Sequence, residues 1–583
     1  METNFSNLRH STAHLLAAAV LRLYPEAKLT IGPAIDNGFY YDIEFPTPIT
    51  DSDLPAIEKM MQKTLDAWDS FTSREVSEEE ARKIYQNNPY KLELIDEIVK
   101  KGEKITLFKA GMFEDLCRGG HVDNPAKEIE AFKLLSIAGA YWRGDEKNKM
   151  LTRIYGTSFP TQQELDLYVQ QLEEAKKRDH RRLGQELDLF TFSELVGKGL
   201  PLFTPKGTML RELLNDFSQR LRIKRGYQKV WVPHITKKEL YETSGHWTKF
   251  GNELFLVTSQ ETDDKMVMKP MNCPHHQQIY ASKQRSYRDL PIKYLETTTI
   301  YRDEKAGELM GLSRVRSVTQ DDSHAFCTPE QIHEIYQSLI EITKEFYEAL
   351  DMNFRARLSF RDPQSPEKYL GEDGLWNNAQ EIILNIAKEN NLDYYVAEGE
   401  AAFYGPKIDF MVSDALGREW QLATPQLDFV QPKRFGLTYI DSQGIAQTPV
   451  MIHFALMGSI ERFLSVYIEH TAGKFPLWLA PVQVQIIPVS EKFTEYAKRV
   501  VEALQMAGLR VEVDFSNNTL GAKIREATLQ KVPFMCIIGG QEEEKSKDGK
   551  LMVSVRARDG KDLGMVTISE FINQIQNDIE TKH

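Results

Sequence analysis

Two β-prone runs, KYLETTTIYR and SVTQDDSHAF, flank a polar, glycine-containing loop. Each reads as a strand, and their hairpin-like spacing predicts an antiparallel pair. Further runs of the same kind, YQKVWVP, ELFLV, KIDFMV and QLDFV, surround them between residues 187 and 479. That region is therefore expected to fold around an antiparallel sheet flanked by helices.

The remaining segments differ in pattern. Residues 1–159 open with LRHSTAHLLAAAVLRLY, a helix that stops at Pro25. IGPAIDNGFYYDIEF then carries turn residues followed by alternation, a hairpin signal. Residues 160–186, TQQELDLYVQQLEEAKKRDHRRLGQE, predict a polar connecting helix. Residues 480–583 alternate strand and helix, the pattern of a compact α/β domain. The expected class is multidomain, α+β and α/β. No repeat or low-complexity tract interrupts it.

At 583 residues the chain is long enough for several cores. Its four cysteines are far apart and form no disulfide-scaffold pattern, which suggests a reducing compartment. The N-terminus lacks a signal-peptide pattern, and no apolar run is long enough for a membrane span. The expectation is a cytoplasmic protein without a membrane partner. A net charge of −13 argues against indiscriminate nucleic-acid binding. It leaves room for a local basic patch, and KKRDHRR at Lys176–Arg182 is one, although the same run suits a solvated helix face.

Three residues distant in sequence carry metal-site chemistry: Cys273 in MNCPHH, His324 in TQDDSHAF and His453 in MIHFALMGSIERF. Taken alone they read as a buried cysteine and two core histidines; with the polar and charged motifs beside them, one thiolate and two imidazoles would make a three-ligand zinc site with an open position. Arg302, followed by Glu304 and then Arg314, surrounds the polar loop, and Gly458, Glu461 and Arg462 lie on a predicted helix downstream. Arginines clamp phosphate oxygens, and a carboxylate accepts from an adenine amino group. In the first segment His10 and His14 share a helix face, and Cys117 and His121 bracket a Gly-Gly turn.

RDE in YRDEKAGE resembles motif 2 of the class II aminoacyl-tRNA synthetases, and GSIERF resembles motif 3. With MNCPHH, TQDDSHAF, AFYGPKIDF, TPQLDF and MIHFALMGSIERF, the chain is similar to the threonyl-tRNA synthetases along nearly its whole length. HSTAH, DNGFYYD, DLCRGGH and AGAYWRGD resemble the editing domain shared by threonyl and alanyl enzymes. The resemblance implies an editing domain at 1–159, a helical linker at 160–186, a class II catalytic domain at 187–479 and an anticodon-binding domain at 480–583. It further implies a homodimer, with Pro233 at the motif 1 position. The form is the one without an N-terminal ubiquitin-like domain.

By that resemblance, ATP would be held by Arg302 at the α-phosphate, Glu304 at the adenine, and Arg314 and Arg462 at the far end, with Val318 and Gln421 in the same site. Arg302, Arg462 and Lys407 would be catalytic. Cys273, His324 and His453 would bind one Zn²⁺ per subunit, and Mg²⁺ would accompany ATP. Met271, Gln320, Asp322, Tyr404 and Gln426 would line the pocket for L-threonine. His10, His14, Tyr41, Lys91, Asp115, Cys117 and His121 would form the site that hydrolyses seryl-tRNA(Thr), and Glu542 and Arg556 would read the anticodon. Val318, Leu422 and His275 depart from the family pattern. The implied activity is threonine–tRNA(Thr) ligation with serine editing. The alternatives are a trans-editing hydrolase or an RNA-binding regulator on the same scaffold.

Overall fold

The computed structural model describes residues 5–546 and 550–582. The chain forms two compact units, residues 1–173 and 174–583.

In the first unit the helix Ser6–Leu23 is buried along His14–Val20, where small and aliphatic residues allow close packing. It packs on a five-stranded antiparallel sheet that includes Gly38–Glu44, Ala131–Tyr141 and Met150–Phe159. The expected hairpin is present: Ala34–Ile35 pairs antiparallel with Gly38–Glu44 around Asp36 and Asn37. A smaller sheet, Thr72–Val76, Ile105–Ala110 and Phe113–Leu116, carries Asp115.

The connecting segment is two helices, not one. Gln162–Arg178 ends at Asp179, and His180–Glu186 follows. Asp179 takes extended-type backbone angles and its carboxylate accepts the Arg181 N–H, so an N-cap interrupts the helical run. The division between the two units falls inside the first of these helices.

The second unit is built on a nine-stranded sheet. Its spatial order is Gln228–Lys229, Ile292–Tyr301, Ser317–Cys327, Val450–Ala455, Thr424–Asp428, Lys407–Ser413, Phe354–Phe360 and Tyr394–Glu398, with Glu419–Gln421 also on Lys407–Ser413. Most neighbours are antiparallel, but the two outermost pairs are parallel. YQKVWVP contributes only Gln228–Lys229 to the sheet. Beyond it Val230 still donates to Leu295, Val232 donates to the Glu296 side chain, and Pro233 has no donor to offer.

One face of this sheet packs against helices Pro205–Ile223, Ile332–Glu348 and Ile460–Thr471, with Phe217, Phe346, Tyr347 and Phe463 in one core. Each such aromatic or aliphatic side chain contributes about 1.5–3 kcal/mol on burial. The C-terminal part has a five-stranded sheet ordered Val511–Val513, Val484–Pro488, Phe534–Ile538, Met552–Ala557 and Asp562–Thr567. No helix among the described residues is long and apolar enough to cross a membrane.

Candidate active site

Strand alternation places Val318, Gln320, Asp322 and His324 on one face of Ser317–Cys327. The neighbouring register sets His324 opposite His453, and His453 opposite Gln426. Sheet pairing thereby unites residues that are remote in sequence. They line a cavity of about 890 Å³, together with Cys273, Met271, Arg302, Glu304, Arg314, Tyr404, Gln421, Leu422 and Arg462.

Cys273, His324 and His453 present ligand atoms within 4.8 Å of one another. Cys273 starts the helix Cys273–Ala281 and is buried. His453 Nε2 is 2.9 Å from Asp428 Oδ2, and His324 Nδ1 is 2.7 Å from His276 Nδ1. His276 Nε2 in turn faces Glu296 Oε2 at 3.3 Å. These contacts leave His453 Nδ1 and His324 Nε2 for a metal. Burial, then the nearby Asp322 and Asp428 charges, pushes the Cys273 thiol well above its ordinary range. Burial, with His276 and His453 beside it, pushes His324 well below the usual imidazole value.

Asp322 sits beside this triad. Its Oδ2 accepts from Asn272 Nδ2 at 3.2 Å, and burial raises its carboxyl above the ordinary range. Tyr404 Oη donates to Gln426, and the Tyr404 ring stacks on His453 at 4.9 Å. His246, absent from the sequence-derived set, lies behind this wall with its ring edge-on to Phe403. Burial holds it neutral, with a pKa of about 3. His276, Glu296 and Asn272 were also missed. Each works through another residue and carries no motif of its own.

The other end of the cavity has two guanidiniums without a carboxylate partner among the described residues, Arg302 and Arg462, both lowered by burial. Arg314 differs. Its Nε and Nη2 lie 2.8 Å from Glu304 Oε2 and Glu308 Oε2. Gly458 adopts φ +76°, and a Cβ there would meet the Leu422 carbonyl at 2.9 Å, so this turn requires glycine. Lys407 does not face the cavity. Its Nζ lies 2.7 Å from buried Asp409 Oδ2, and Asp409 Oδ1 receives Gln421 Nε2 at 2.8 Å. Lys407 therefore reaches the cavity lining through Asp409, which binds both Gln421 and Thr424.

The first unit holds a second cluster. His10, His14, Cys117 and His121 converge within 4.8 Å. Cys117 Sγ is 3.3 Å from His121 Nε2 and 3.6 Å from His10 Nε2. Gly119 and Gly120 have φ of +99° and +84°, the conformation that folds His121 back onto Cys117. Phe71 stacks on His121 at 3.9 Å. Burial lowers His10 and His14 and brings His121 to about 3, so the imidazoles are neutral. Burial raises the Cys117 thiol, which disfavours its thiolate. Asp115 is buried with Lys91 Nζ at 2.7 Å and Tyr41 Oη at 2.8 Å, and Tyr85, missed in sequence, donates to its other oxygen at 3.2 Å.

In the C-terminal part the two expected base-reading residues diverge. Glu542 is buried; its Oε2 accepts the Gly539 N–H at 2.8 Å and its Oε1 accepts Ser554 Oγ at 2.5 Å. Both oxygens already serve the fold. Arg556 Nε is buried without a hydrogen-bond partner among the described residues.

Comparison with known families gives three matches. Residues 255–471 match the tRNA synthetase class II core domain (G, H, P, S and T), and residues 483–578 match the anticodon binding domain. Residues 98–155 match the threonyl and alanyl tRNA synthetase second additional domain. The threonine–tRNA ligase of Gloeobacter violaceus is 49% identical over 578 residues, covering 98% of this chain and 91% of its own. That of Flavobacterium johnsoniae is 48% identical, covering 98% and 88%. Among solved structures, the crystal structure of the RNA binding domain of threonyl-tRNA synthetase from Cryptosporidium parvum matches with TM-score 0.64 and 37% identity, over 68% of this chain and 98% of that one. A prolyl-tRNA synthetase from the same organism shares the fold at TM-score 0.53 and 20% identity, over 69% of this chain and 75% of that one.

Proposed function

The chain belongs to the threonine–tRNA ligase family of class II aminoacyl-tRNA synthetases, and we propose that its large cavity activates threonine with ATP. The enzyme forms threonyl-adenylate, transfers threonine to the 3′ end of tRNA(Thr), and hydrolyses mischarged seryl-tRNA(Thr) in its first unit. The observation that carries the threonine reading is the convergence of Cys273, His324 and His453 in the same cavity as Arg302 and Arg462.

The three-residue set suits Zn²⁺: one soft thiolate, two imidazoles with their second nitrogens engaged, and neighbouring carboxylates that favour a cation. Bound zinc would supply a Lewis-acidic position for the amino group and hydroxyl of threonine. Asp322 accepts the hydroxyl proton, and Tyr404, Gln426, Gln320 and Met271 shape the space around the side chain. Valine offers no hydroxyl and leaves Asp322 Oδ1 without that donor, a large penalty.

ATP enters with Mg²⁺. Arg302 neutralises charge at the α-phosphate as the threonine carboxylate attacks it in line, and pyrophosphate leaves. Glu304 takes the adenine, with Val318 and Gln421 beside it, while Arg314 and Arg462 hold the far phosphates. Arg314 must part from Glu304 and Glu308 to do so. A hydroxyl of the terminal adenosine then attacks the adenylate carbonyl and releases AMP.

Serine keeps every group the pocket reads and lacks one methyl, worth only about 1–3 kcal/mol. The editing site answers this. The neutral imidazoles of His10, His14 and His121 orient and deprotonate water at the seryl ester. Cys117 remains a thiol and serves as a hydrogen-bonding wall, and Lys91 with Asp115 and Tyr41 fixes the polar end. In the C-terminal domain Arg556 contacts unstacked anticodon bases, and Glu542 supports the loop. The enzyme works as a cytoplasmic homodimer through the segment around Pro233.

ATP–pyrophosphate exchange with zinc-replete protein tests the reading. Threonine should drive strong exchange, serine measurable exchange and valine almost none. Absence of exchange, with seryl-tRNA(Thr) hydrolysis retained, would leave only the hydrolase activity.

A further inference from the structure

We infer that His180, in the linker run KKRDHRR, is a positioning residue that holds two of the three ATP-gripping arginines, Arg314 and Arg462, in register; this rests on the ATP reading above. Only part of that basic run is a solvated face. Arg178 donates to the Glu469 and His470 carbonyls at the end of Ile460–Thr471, the helix that carries Arg462. His180 is buried.

Both ring nitrogens of His180 are engaged. Nδ1 lies 2.7 Å from Glu469 Oε1, on the Arg462 helix. Nε2 accepts the Leu312 N–H at 3.1 Å, in the loop that carries Arg314. A carboxylate accepts and a backbone amide donates, so His180 is the neutral Nδ1–H tautomer. One imidazole thus ties the Arg314 loop to the Arg462 helix. Asp179, His180 and Glu469 stand close enough to suggest a metal cluster, but this occupancy of the ring makes them a hydrogen-bond hub.

The loop is shaped to receive the imidazole. Gly311 has φ +51°, and a Cβ there would lie 2.3 Å from His180 Nε2. Glu469 extends the connection on the other side. Its Oε2 accepts from Arg418 Nη2 at 2.5 Å, Arg418 Nε lies 2.7 Å from Asp414, and Asp414 holds Trp420 Nε1 at 2.9 Å. The Arg462 guanidinium stands 6.0 Å from the Trp420 ring, inside the cavity. The loop that carries Arg314 and the helix that carries Arg462 are therefore joined by contacts that meet at His180.

Two substitutions separate its roles. His180→Asn keeps an amide donor for Glu469 and removes the acceptor for Leu312. His180→Gln places an oxygen where Nε2 was and keeps that acceptor. In threonine-dependent ATP–pyrophosphate exchange, His180→Asn should raise the KM for ATP about tenfold, the loss of about one hydrogen bond. The KM for threonine and kcat should stay within about twofold of the parent, and His180→Gln should recover most of the ATP affinity. Gly311→Ala should raise the KM for ATP in the same way, and combining it with His180→Asn should give less than the product of the two effects. An unchanged KM for ATP in folded His180→Asn protein overturns the inference. So does a parallel rise in both KM values with a lowered Tm, which marks a merely structural residue. Absence of exchange in the parent protein overturns the ATP reading itself.

Discussion

Asp322 and His324 show how one strand serves two purposes. Gln320, Asp322 and His324 face the cavity, while Asp321, between them, is fully buried and bound to Ser218 Oγ at 2.9 Å and to the Met457 N–H at 3.1 Å. Of two adjacent aspartates, Asp321 thus holds the sheet to its helix and Asp322 faces the cavity. Asp322→Ala should admit valine, raising its exchange relative to threonine by about 10-fold or more; unchanged discrimination would remove the hydroxyl-reading role. His276 orients His324 from behind, and such partners typically carry 10–100-fold in metal affinity. His276→Ala should therefore weaken zinc binding about 10–100-fold in a chelator competition titration, with all three ligands still present.

At the scale of elements, the editing helix Ser6–Leu23 and the loop at Gly119 and Gly120 hold imidazoles out of water. His121, at about 3, binds its proton far below the ordinary 6.5. The neutral, basic form therefore persists as pH falls, and deacylation of seryl-tRNA(Thr), corrected for spontaneous hydrolysis, should show no drop centred near 6.5. Stability carries the opposite cost. Between pH 6.5 and 3 the unfolded chain binds a proton that folded His121 refuses, so stability is full above about 6.5 and declines as pH falls through that window. Thermal unfolding should show a weaker acid dependence in His121→Gln. The linker break is also an element-scale device: Asp179→Ala removes the cap of His180–Glu186 and should cost about 0.5–2 kcal/mol, seen as a lower Tm.

At the scale of the molecule, the described surface leaves Trp231 75% exposed and Ile235 47% exposed on either side of Pro233. Large apolar side chains left in water beside an edge strand suit an interface with a second copy. Trp231→Glu should shift the protein from dimer to monomer in light scattering, with exchange activity falling alongside; a monomeric parent protein would remove the dimer from the proposal.

Much of this was legible before folding. The strands KYLETTTIYR and SVTQDDSHAF and the helix before Pro25 follow from local pattern, because period is a property of the chain itself, whereas the membership of both clusters rests on the family resemblance. What the sequence left open concerns contacts between distant segments. Parallel outer pairs in the sheet, the break at Asp179, Lys407 turned onto Asp409, Glu542 spent on Gly539 and Ser554, and His180 between the Arg314 loop and the Arg462 helix depend on which neighbour reaches a polar group first. A buried donor or acceptor takes whatever partner the packed fold brings within about 3 Å, and only the tertiary structure decides that.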